Sequence, residues 1–227
     1  MIPEAIAANP LFSLALILFS YVFGTYIQKK TGASWLNPLL IATVIIIAVL
    51  LVFDIPLSAF NNGGDIISMF LAPITALLAL SIYRQRELVR RNLAAILAGT
   101  AAGAAVSITS ILVLSNLLGL DDRLAMSLVP KSVTTPIALA ISESLGGIQG
   151  ITVCALILSG LFGNILAPVL TKILKLSDPV AAGIAIGSSS HALGTITALE
   201  MGDDIGAISG IAIPFSGILT VLISMLL

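Results

Sequence analysis

Charge is what this sequence has least of. Only 9% of its 227 residues are Asp, Glu, Lys or Arg, and 58% are hydrophobic, whereas a soluble domain typically carries about 25% charged residues. The mean hydropathy is correspondingly high, at +1.16. This composition excludes a soluble globular protein. The chain is therefore predicted to be an integral membrane protein with one membrane domain over residues 1–227.

Cysteine and histidine are equally scarce, and each shortage excludes a class of site. The single cysteine, Cys154, excludes an intramolecular disulfide and a Cys-based metal cluster. The single histidine, His191, has no nearby Cys or carboxylate, so neither a metal nor a cofactor is expected. A net charge of −1 leaves no footprint for nucleic acid. No enzyme activity is expected, because a serine hydrolase needs a base and an orienting group in a cleft beside its nucleophile.

Long apolar runs make up most of the sequence, and they predict an all-α, polytopic fold of about seven or eight helical segments. The first run follows Pro10 and ends at Lys29-Lys30; because it lacks the basic region of a cleavable signal, we expect it to be retained. Trp35 is expected to anchor the chain at the membrane interface. The other runs are predicted at 39–53, 66–83, 93–118, 151–170, 178–201 and 205–227, with a polar turn at 54–65.

The positions of the basic residues predict the membrane orientation. Eight of the ten are Lys29, Lys30, Arg84, Arg86, Arg90, Arg91, Lys172 and Lys175. The positive-inside rule places them all on the cytoplasmic side and the N-terminus outside. This arrangement requires residues 126–147 to enter and leave by one face, as a broken or re-entrant element. A possible internal repeat conflicts with it. Leu71-Ala72-Pro73 recurs as Leu166-Ala167-Pro168, and the segment at Asn37-Pro38 resembles that at Thr135-Pro136. Inverted halves would need residues 126–147 to cross completely.

Residues 126–147 are the first polar constellation. Pro130 and Pro136 each remove a backbone donor and obstruct the preceding turn, so they predict a helix break. Lys131 is a candidate counter-charge for an anionic substrate, with Ser132, Thr134 and Thr135 as hydrogen-bond donors and Glu143 as its ion-pair partner or a proton carrier. The alternatives are that Lys131 snorkels to the interface, that the hydroxyls bond their own carbonyls, and that Glu143 ends a helix in water.

Residues 183–197 are the second polar constellation and contain the only histidine. Gly187 and Gly194 are the predicted helix breaks, Ser188, Ser189, Ser190 and Thr195 the predicted donors to a carboxylate, and His191 a predicted substrate-binding and proton-coupling group. In the alternative interpretation, Gly183 and Gly187 form a helix-packing face and His191 bonds a neighbouring backbone group. Gly99 and Gly103 are likewise spaced to admit another helix.

The two constellations carry a family resemblance. Pro-Lys-Ser-Val-Thr-Thr-Pro at 130–136, Ile-Ser-Glu at 141–143 and Ser-His-Ala-Leu-Gly-Thr at 190–195 resemble the LrgB/CidB family of bacterial membrane proteins over essentially the whole chain. The resemblance implies holin- or antiholin-like regulation of murein hydrolase activity and lysis, usually beside a separate LrgA/CidA-type membrane protein. It also implies carriage of small carboxylates: a plastid relative moves glycolate and glycerate, and some bacterial pairs take up pyruvate.

Of these two functions, the residues favour the carrier. A membrane lesion needs oligomerising spans, whereas a buried cation and proline-broken segments are typical of a substrate path. We therefore expect a proton-coupled, alternating-access carrier of small monocarboxylates in the bacterial cell (inner) membrane, with an antiholin-like regulator as the alternative. A small anionic metabolite, the lipid bilayer, a separate LrgA/CidA-type protein and a second copy of the chain in a homodimer are the expected partners.

Overall fold

Every regular element that the computed structural model describes, over residues 4–32 and 38–227, is a helix, and this confirms the predicted all-α fold. Four helices are long and apolar enough to cross a membrane, namely α2, α6, α9 and α11, as a polytopic membrane protein requires. The helices are α1 Glu4–Ala7, α2 Pro10–Thr31, α3 Pro38–Val52, α4 Leu57–Ser68, α5 Leu71–Arg84, α6 Arg86–Leu117, α7 Asp122–Leu128, α8 Thr135–Ser144, α9 Gln149–Ile173, α10 Pro179–Met201 and α11 Asp203–Ser224.

The chain divides into two compact units, Met1–Ile74 and Thr75–Leu227. In the first unit, α2 packs against α3 and α4. Asn9 caps α2 by accepting a hydrogen bond from the N–H of Leu11 at 2.9 Å, and Pro10 fills the first helical position, as predicted. The helix ends at Gly32, whose φ of 66° is the left-handed conformation that suits glycine. Trp35, the predicted interface anchor, lies outside the described residues.

The prediction of a polar turn at 54–65 is wrong, because most of these residues belong to the helix α4. Asn62 donates to the carbonyl oxygen of Ala8 at 2.9 Å, so its amide ties α4 to the start of α2. A Cβ on Gly63 would lie 2.6 Å from the Ser13 Cβ and 3.1 Å from the Leu14 nitrogen. The polar and glycine residues therefore serve helix packing, which a turn prediction from composition does not consider.

The second unit contains α6, α9 and α11, with one broken element between each consecutive pair of these helices. A Cβ on Gly99 would lie 2.7 Å from Ile184 Cγ2, and one on Gly103 would lie 3.1 Å from Ser188 Oγ. The two glycines thus admit α10, as their spacing predicts, and the two pairings advance in the same direction along both helices. The basic start of α6 and the start of α10, which follows Lys172 and Lys175, consequently lie at the same end of this unit.

The first broken element is a helical hairpin formed by α7 and α8. Its arms are about 10 and 15 Å long at 1.5 Å per residue, so neither spans the roughly 30 Å hydrocarbon core. Pro130 lies in the turn between the arms and Pro136 in the first turn of α8, where the sequence predicts the break. The chain then returns on itself, because the N–H of Ile148 donates to Ser127 Oγ at 2.7 Å.

The second broken element is α10, which folds back at His191. This residue has φ 42° and ψ −138°, which are not helical values. A Cβ on Gly194 would lie 3.0 Å from Ile186 Cγ2, although eight residues of straight helix would separate the two by about 12 Å. Ala198 likewise shares a buried cluster with Ile186. Residues 179–190 and 192–201 are therefore the two arms of a second hairpin.

The predicted breaks at Gly187 and Gly194 are thus wrong, since the chain reverses between them, at His191. Each glycine is instead a point of close packing. A Cβ on Gly187 would meet the Ser209 carbonyl of α11 and lie 2.9 Å from Ala212 Cβ. A Cβ on Gly183 would lie 2.7 Å from the Ile205 carbonyl oxygen. This outcome matches the alternative interpretation, in which Gly183 and Gly187 form a helix-packing face.

The prolines of the possible repeat occupy different places in their helices. Pro38 opens the 15-residue α3, whereas Pro136 begins a hairpin arm of ten residues. Pro73 is the third residue of α5, whereas Pro168 lies inside α9 near its end. The regularity of the second unit is of another kind, because long helices alternate with broken hairpins in the order α6, α7–α8, α9, α10, α11.

Candidate functional site

The two hairpins meet at a cavity of about 790 Å³, which lies between α6, α9 and α10. Ligand pockets of drug-sized molecules typically measure about 300–1,000 Å³. The structure brings five predicted binding residues to this one cavity, although Ser132 and Ser188 lie 56 positions apart in sequence. The polar side chains that line it are Ser107, Ser110, Lys131, Ser132, Ser159, Asp178, Ser188, Ser189 and Ser190.

Lys131 lies in the turn of the first hairpin and provides a cation at the cavity. Its Nζ donates to Ser107 Oγ and to Ser132 Oγ, both at 3.1 Å, and the two hydroxyl oxygens are 3.2 Å apart. Both of these hydroxyl partners are neutral. The turn itself is rigidly held, because Val129, Pro130 and Val133 are fully buried beside it. The ammonium is thus fixed by packing and hydrogen bonds, as a counter-charge for an anion requires.

The protons of this three-residue cluster can be counted. An ammonium has three donor hydrogens and each serine hydroxyl has one, which makes five. Two are used by Lys131 Nζ toward Ser107 and Ser132, and one by the hydrogen bond between the two hydroxyls. One N–H and one O–H therefore remain without an acceptor among the residues that the structure describes. Two adjacent donors beside a positive charge match the two oxygens of a carboxylate.

The serine run of the second hairpin lines the cavity, but most of its hydroxyl protons are already engaged. Ser188 Oγ donates to the Ile184 carbonyl and Ser189 Oγ to the Ala185 carbonyl, both at 2.7 Å. Ser190 Oγ lies 3.0 Å from Ser189 Oγ. Ser188 and Ser190 are buried, whereas Ser189 is exposed. These hydroxyls present mainly acceptor lone pairs to the cavity, so the donors for an anion come chiefly from the Lys131 cluster.

His191 forms the tip of the second hairpin and lies outside the described cavity lining. Its ring is buried, and Nε2 is 3.1 Å from the Leu156 carbonyl oxygen on α9. Because a carbonyl only accepts, Nε2 carries the proton in this contact. A Cβ on Gly160 would lie 2.7 Å from His191 Cε1, so α9 leaves space for the ring. His191 therefore holds the reversed chain against α9, which is the backbone contact of the alternative interpretation.

Four other predicted residues also lie outside the described lining. Thr134 occupies the N-cap position of α8 but makes no capping hydrogen bond, and its buried Oγ1 has no partner among the described residues. Thr135 is the half-buried first residue of α8. Thr195 Oγ1 donates to the His191 carbonyl at 3.0 Å and lies 2.7 Å from Ser209 Oγ. Glu143 is exposed near the end of α8, which agrees with the alternative interpretation that it ends a helix in water.

A buried polar knot, formed by Ser127, Ser142 and Thr152, holds the first hairpin to α9. Thr152 Oγ1 lies 2.9 Å from the Ser127 carbonyl oxygen and 2.7 Å from Ser142 Oγ. Because Thr152 has one hydroxyl proton, it donates to one of these two oxygens at a time. All three side chains are fully buried. The knot fixes the base of the element that carries Lys131, and sequence reasoning did not identify it.

Sequence reasoning also missed Ser107, Ser110 and Ser159 as cavity residues. Each is a lone hydroxyl within a long apolar helix, and such residues more often bond their own backbone. Ser110 does so, since its Oγ donates to the Ser107 carbonyl at 2.8 Å. The only signal available was the position of Ser107, one turn after Gly103 on the face that admits α10.

The comparisons with known proteins agree with the predicted resemblance. The model of the LrgB-like family matches residues 17–227. Antiholin-like protein LrgB of Bacillus subtilis (strain 168) is 35% identical over 216 residues, which cover 95% of this chain and 94% of the relative. The proteins of the same name from Bacillus mycoides (strain KBAB4) and Bacillus cereus (strain B4264) are 33% identical over the same shares. No solved structure matches. The chain belongs to the LrgB-like family.

Proposed function

We propose that this protein is an antiholin-like membrane protein of the bacterial cell (inner) membrane, which restrains murein hydrolase activity and lysis. The observation that carries the proposal is the similarity to proteins named antiholin-like over 95% of the chain. It supports a regulatory role rather than catalysis. A separate LrgA/CidA-type membrane protein and a second copy of this chain are the proposed partners, because the resemblance implies a paired system.

Complementation tests the regulatory role. A bacterium that lacks its own LrgB-like protein is supplied with this chain, and detergent-induced lysis and murein hydrolase activity in zymograms are measured with and without an LrgA-type protein. We expect slower lysis and weaker hydrolase bands when the chain is present. Lysis at the rate of the empty-vector strain in both backgrounds would contradict the proposal.

Carriage of a small monocarboxylate is the second candidate function, and the Lys131 cavity favours it. The cluster of Lys131, Ser107 and Ser132 offers two free donors beside a positive charge. The turn of the first hairpin and the last residues in the first arm of the second hairpin line the same cavity. Transporters commonly bind substrate between discontinuous helices and then expose the site alternately to the two sides.

In this mechanism, Lys131 balances the charge of the carboxylate, while the remaining N–H and O–H donors orient its two oxygens. Ser188, Ser189 and Ser190 contact the rest of the substrate from the second hairpin. Proton coupling is assigned to His191, which adjoins Ser190, with Glu143 as the other candidate group. Movement of the second hairpin relative to α6 and α9 would open the cavity, and it would have to break the contact between the His191 ring and the Leu156 carbonyl of α9.

Uptake of labelled pyruvate or glycolate into proteoliposomes, with and without an inward proton gradient, tests the carrier. Lys131→Gln removes the charge but keeps a donor for Ser107 and Ser132, and we expect it to abolish saturable uptake. Lys172→Gln is the matched control, because Lys172 is an exposed lysine outside this cavity. Equal uptake by the two variants would refute the assignment. If Lys131→Gln loses uptake but still slows lysis, the two proposed functions are separable.

A further inference from the structure

The cavity extends well beyond the Lys131 cluster. Ser188 and Asp178 both line it, and the ten steps along α10 from its N-cap Asp178 to Ser188 correspond to about 15 Å. Its volume of about 790 Å³ far exceeds what a carboxylate group with two or three carbon atoms would occupy. A short acid bound at Lys131 would therefore occupy only one end of this cavity, which is open on the side of Val106 and Phe162.

The walls along this length are apolar. Val106, Phe162 and Leu166 line the cavity from α6 and α9, with Leu170 and Ile184 further toward the Asp178 end. Gly99 and Gly103 line the cavity from α6 without side chains, and Ile184 and Ser188 of α10 pack closely against them. Hydrocarbon surface gains about 25 cal/mol per Å² when it leaves water, so such walls favour a ligand that carries an apolar tail.

The far end of the cavity carries the opposite charge. Asp178 lines it there and caps α10 by accepting a hydrogen bond from the Val180 N–H at 2.9 Å. A second carboxylate on the ligand would face this aspartate and be repelled. The lining is thus cationic at the Lys131 end and apolar along its length, and Asp178 is the charged lining residue at the other end, where the basic start of α6 and Lys172 and Lys175 also lie.

Given the proposed anion site at Lys131, on which this inference rests, we infer that the cavity takes amphiphilic monocarboxylates. The carboxylate lies at Lys131, and an aliphatic tail of several carbons lies along α6 and α9 toward Asp178. Affinity then depends on tail length, and dicarboxylates of equal length are rejected. Acids of two or three carbons bind only through the head group.

A chain-length series tests the inference. Straight-chain acids from propionate to octanoate are titrated into the protein in nanodiscs of uncharged lipid, with empty nanodiscs as the reference. A fully buried methylene contributes about 0.8 kcal/mol, which is roughly a fourfold gain in affinity per carbon. We expect affinity to rise by up to that factor at each step until the cavity is filled. Octanedioate should bind more weakly than octanoate, and Asp178→Asn should narrow that difference.

Two neighbouring residues of α9 provide a matched pair of variants. Leu166 is 41% exposed and lines the cavity, whereas Ile165 is 43% exposed and does not. Leu166→Ser should flatten the chain-length series, and Ile165→Ser should leave it unchanged. Both changes replace a similarly exposed aliphatic residue of the same helix by serine. A general loss of folding would therefore affect both variants alike and would not produce a difference between their chain-length series.

The outcomes distinguish the inference from the function on which it rests. If short acids bind in a manner that requires Lys131 but affinity is flat along the series, the amphiphile inference is wrong and the anion site stands. A chain-length gain that persists in Lys131→Gln reports partitioning into lipid and also overturns the inference. If no acid binds in a manner that requires Lys131, the proposed anion site fails, and the inference with it.

Discussion

Replacing Gly163 by alanine should loosen the contact between α9 and the second hairpin. A Cβ at this position would overlap both Oγ and Cβ of Ser190 and lie 3.4 Å from its Cα. Rotating the Ser190 hydroxyl away relieves only the first overlap, because a Cβ position is set by the backbone. The helix and the hairpin arm must therefore move apart to admit one methyl group.

The expected magnitude follows from two opposing effects. Alanine is favoured over glycine inside a helix by about 0.5–1 kcal/mol. Overpacking a closely fitted contact costs typically about 1–3 kcal/mol, which is the larger effect. Gly210, inside α11, is the control, because a Cβ there would have no atom within 4 Å. The same chemical change should thus lower the free energy of unfolding at Gly163 and raise it at Gly210.

Unfolding of the purified protein in detergent micelles, by heat or by added SDS, measures both variants. Adding Ser190→Gly to Gly163→Ala should restore stability, since it removes the opposing Cβ. Ser190→Ala should not, because the Cβ remains. A Gly163→Ala protein as stable as Gly210→Ala would refute the close approach of α9 to the hairpin.

Three further predictions concern single contacts, each measured by the same unfolding assay. Thr152→Val removes the hydroxyl that contacts the buried Ser127 carbonyl and the buried Ser142 hydroxyl, and it should lower the free energy of unfolding by about 1–3 kcal/mol. The control Ser144→Ala, at an exposed residue, should change it by less than about 0.5 kcal/mol. Equal effects of the two changes would contradict the knot. His191→Gly should be more stable than His191→Ala by about 1–3 kcal/mol, because only glycine adopts φ 42° and ψ −138° without strain. Asp121→Ala removes the cap on the Leu124 N–H and should cost about 1 kcal/mol.

The first hairpin was largely predictable because proline acts locally. Pro130 and Pro136 interrupt the backbone hydrogen bonding of any helix that contains them, whatever surrounds it, so the break follows from the sequence. Lys131 was identified for a similar reason, since an ammonium in an apolar segment needs a partner. The contacts with Ser107, however, depend on how α6 packs, and no local pattern encodes that.

The second hairpin was not predictable from residue type. Glycine both breaks helices and permits close packing, and the two roles leave the same mark in a sequence. Gly187 has the second role, and the residue that reverses the chain is a histidine held in a glycine-like conformation. Only tertiary contacts, such as the Leu156 carbonyl bonded to the His191 ring, stabilise that conformation. The helix at Asn61-Asn62-Gly63 was missed for the same reason.

The two hairpins also affect how many times the segment from α6 to α11 traverses the bilayer. An element that returns to the face it left adds nothing to that number, so α6, α9 and α11 alone determine it. An odd number of traversals places Arg86 and Leu227 on opposite sides of the membrane. Leu227 should therefore emerge on the face opposite Arg86, where a label on it is reached from outside the cell when the arginines face the cytoplasm.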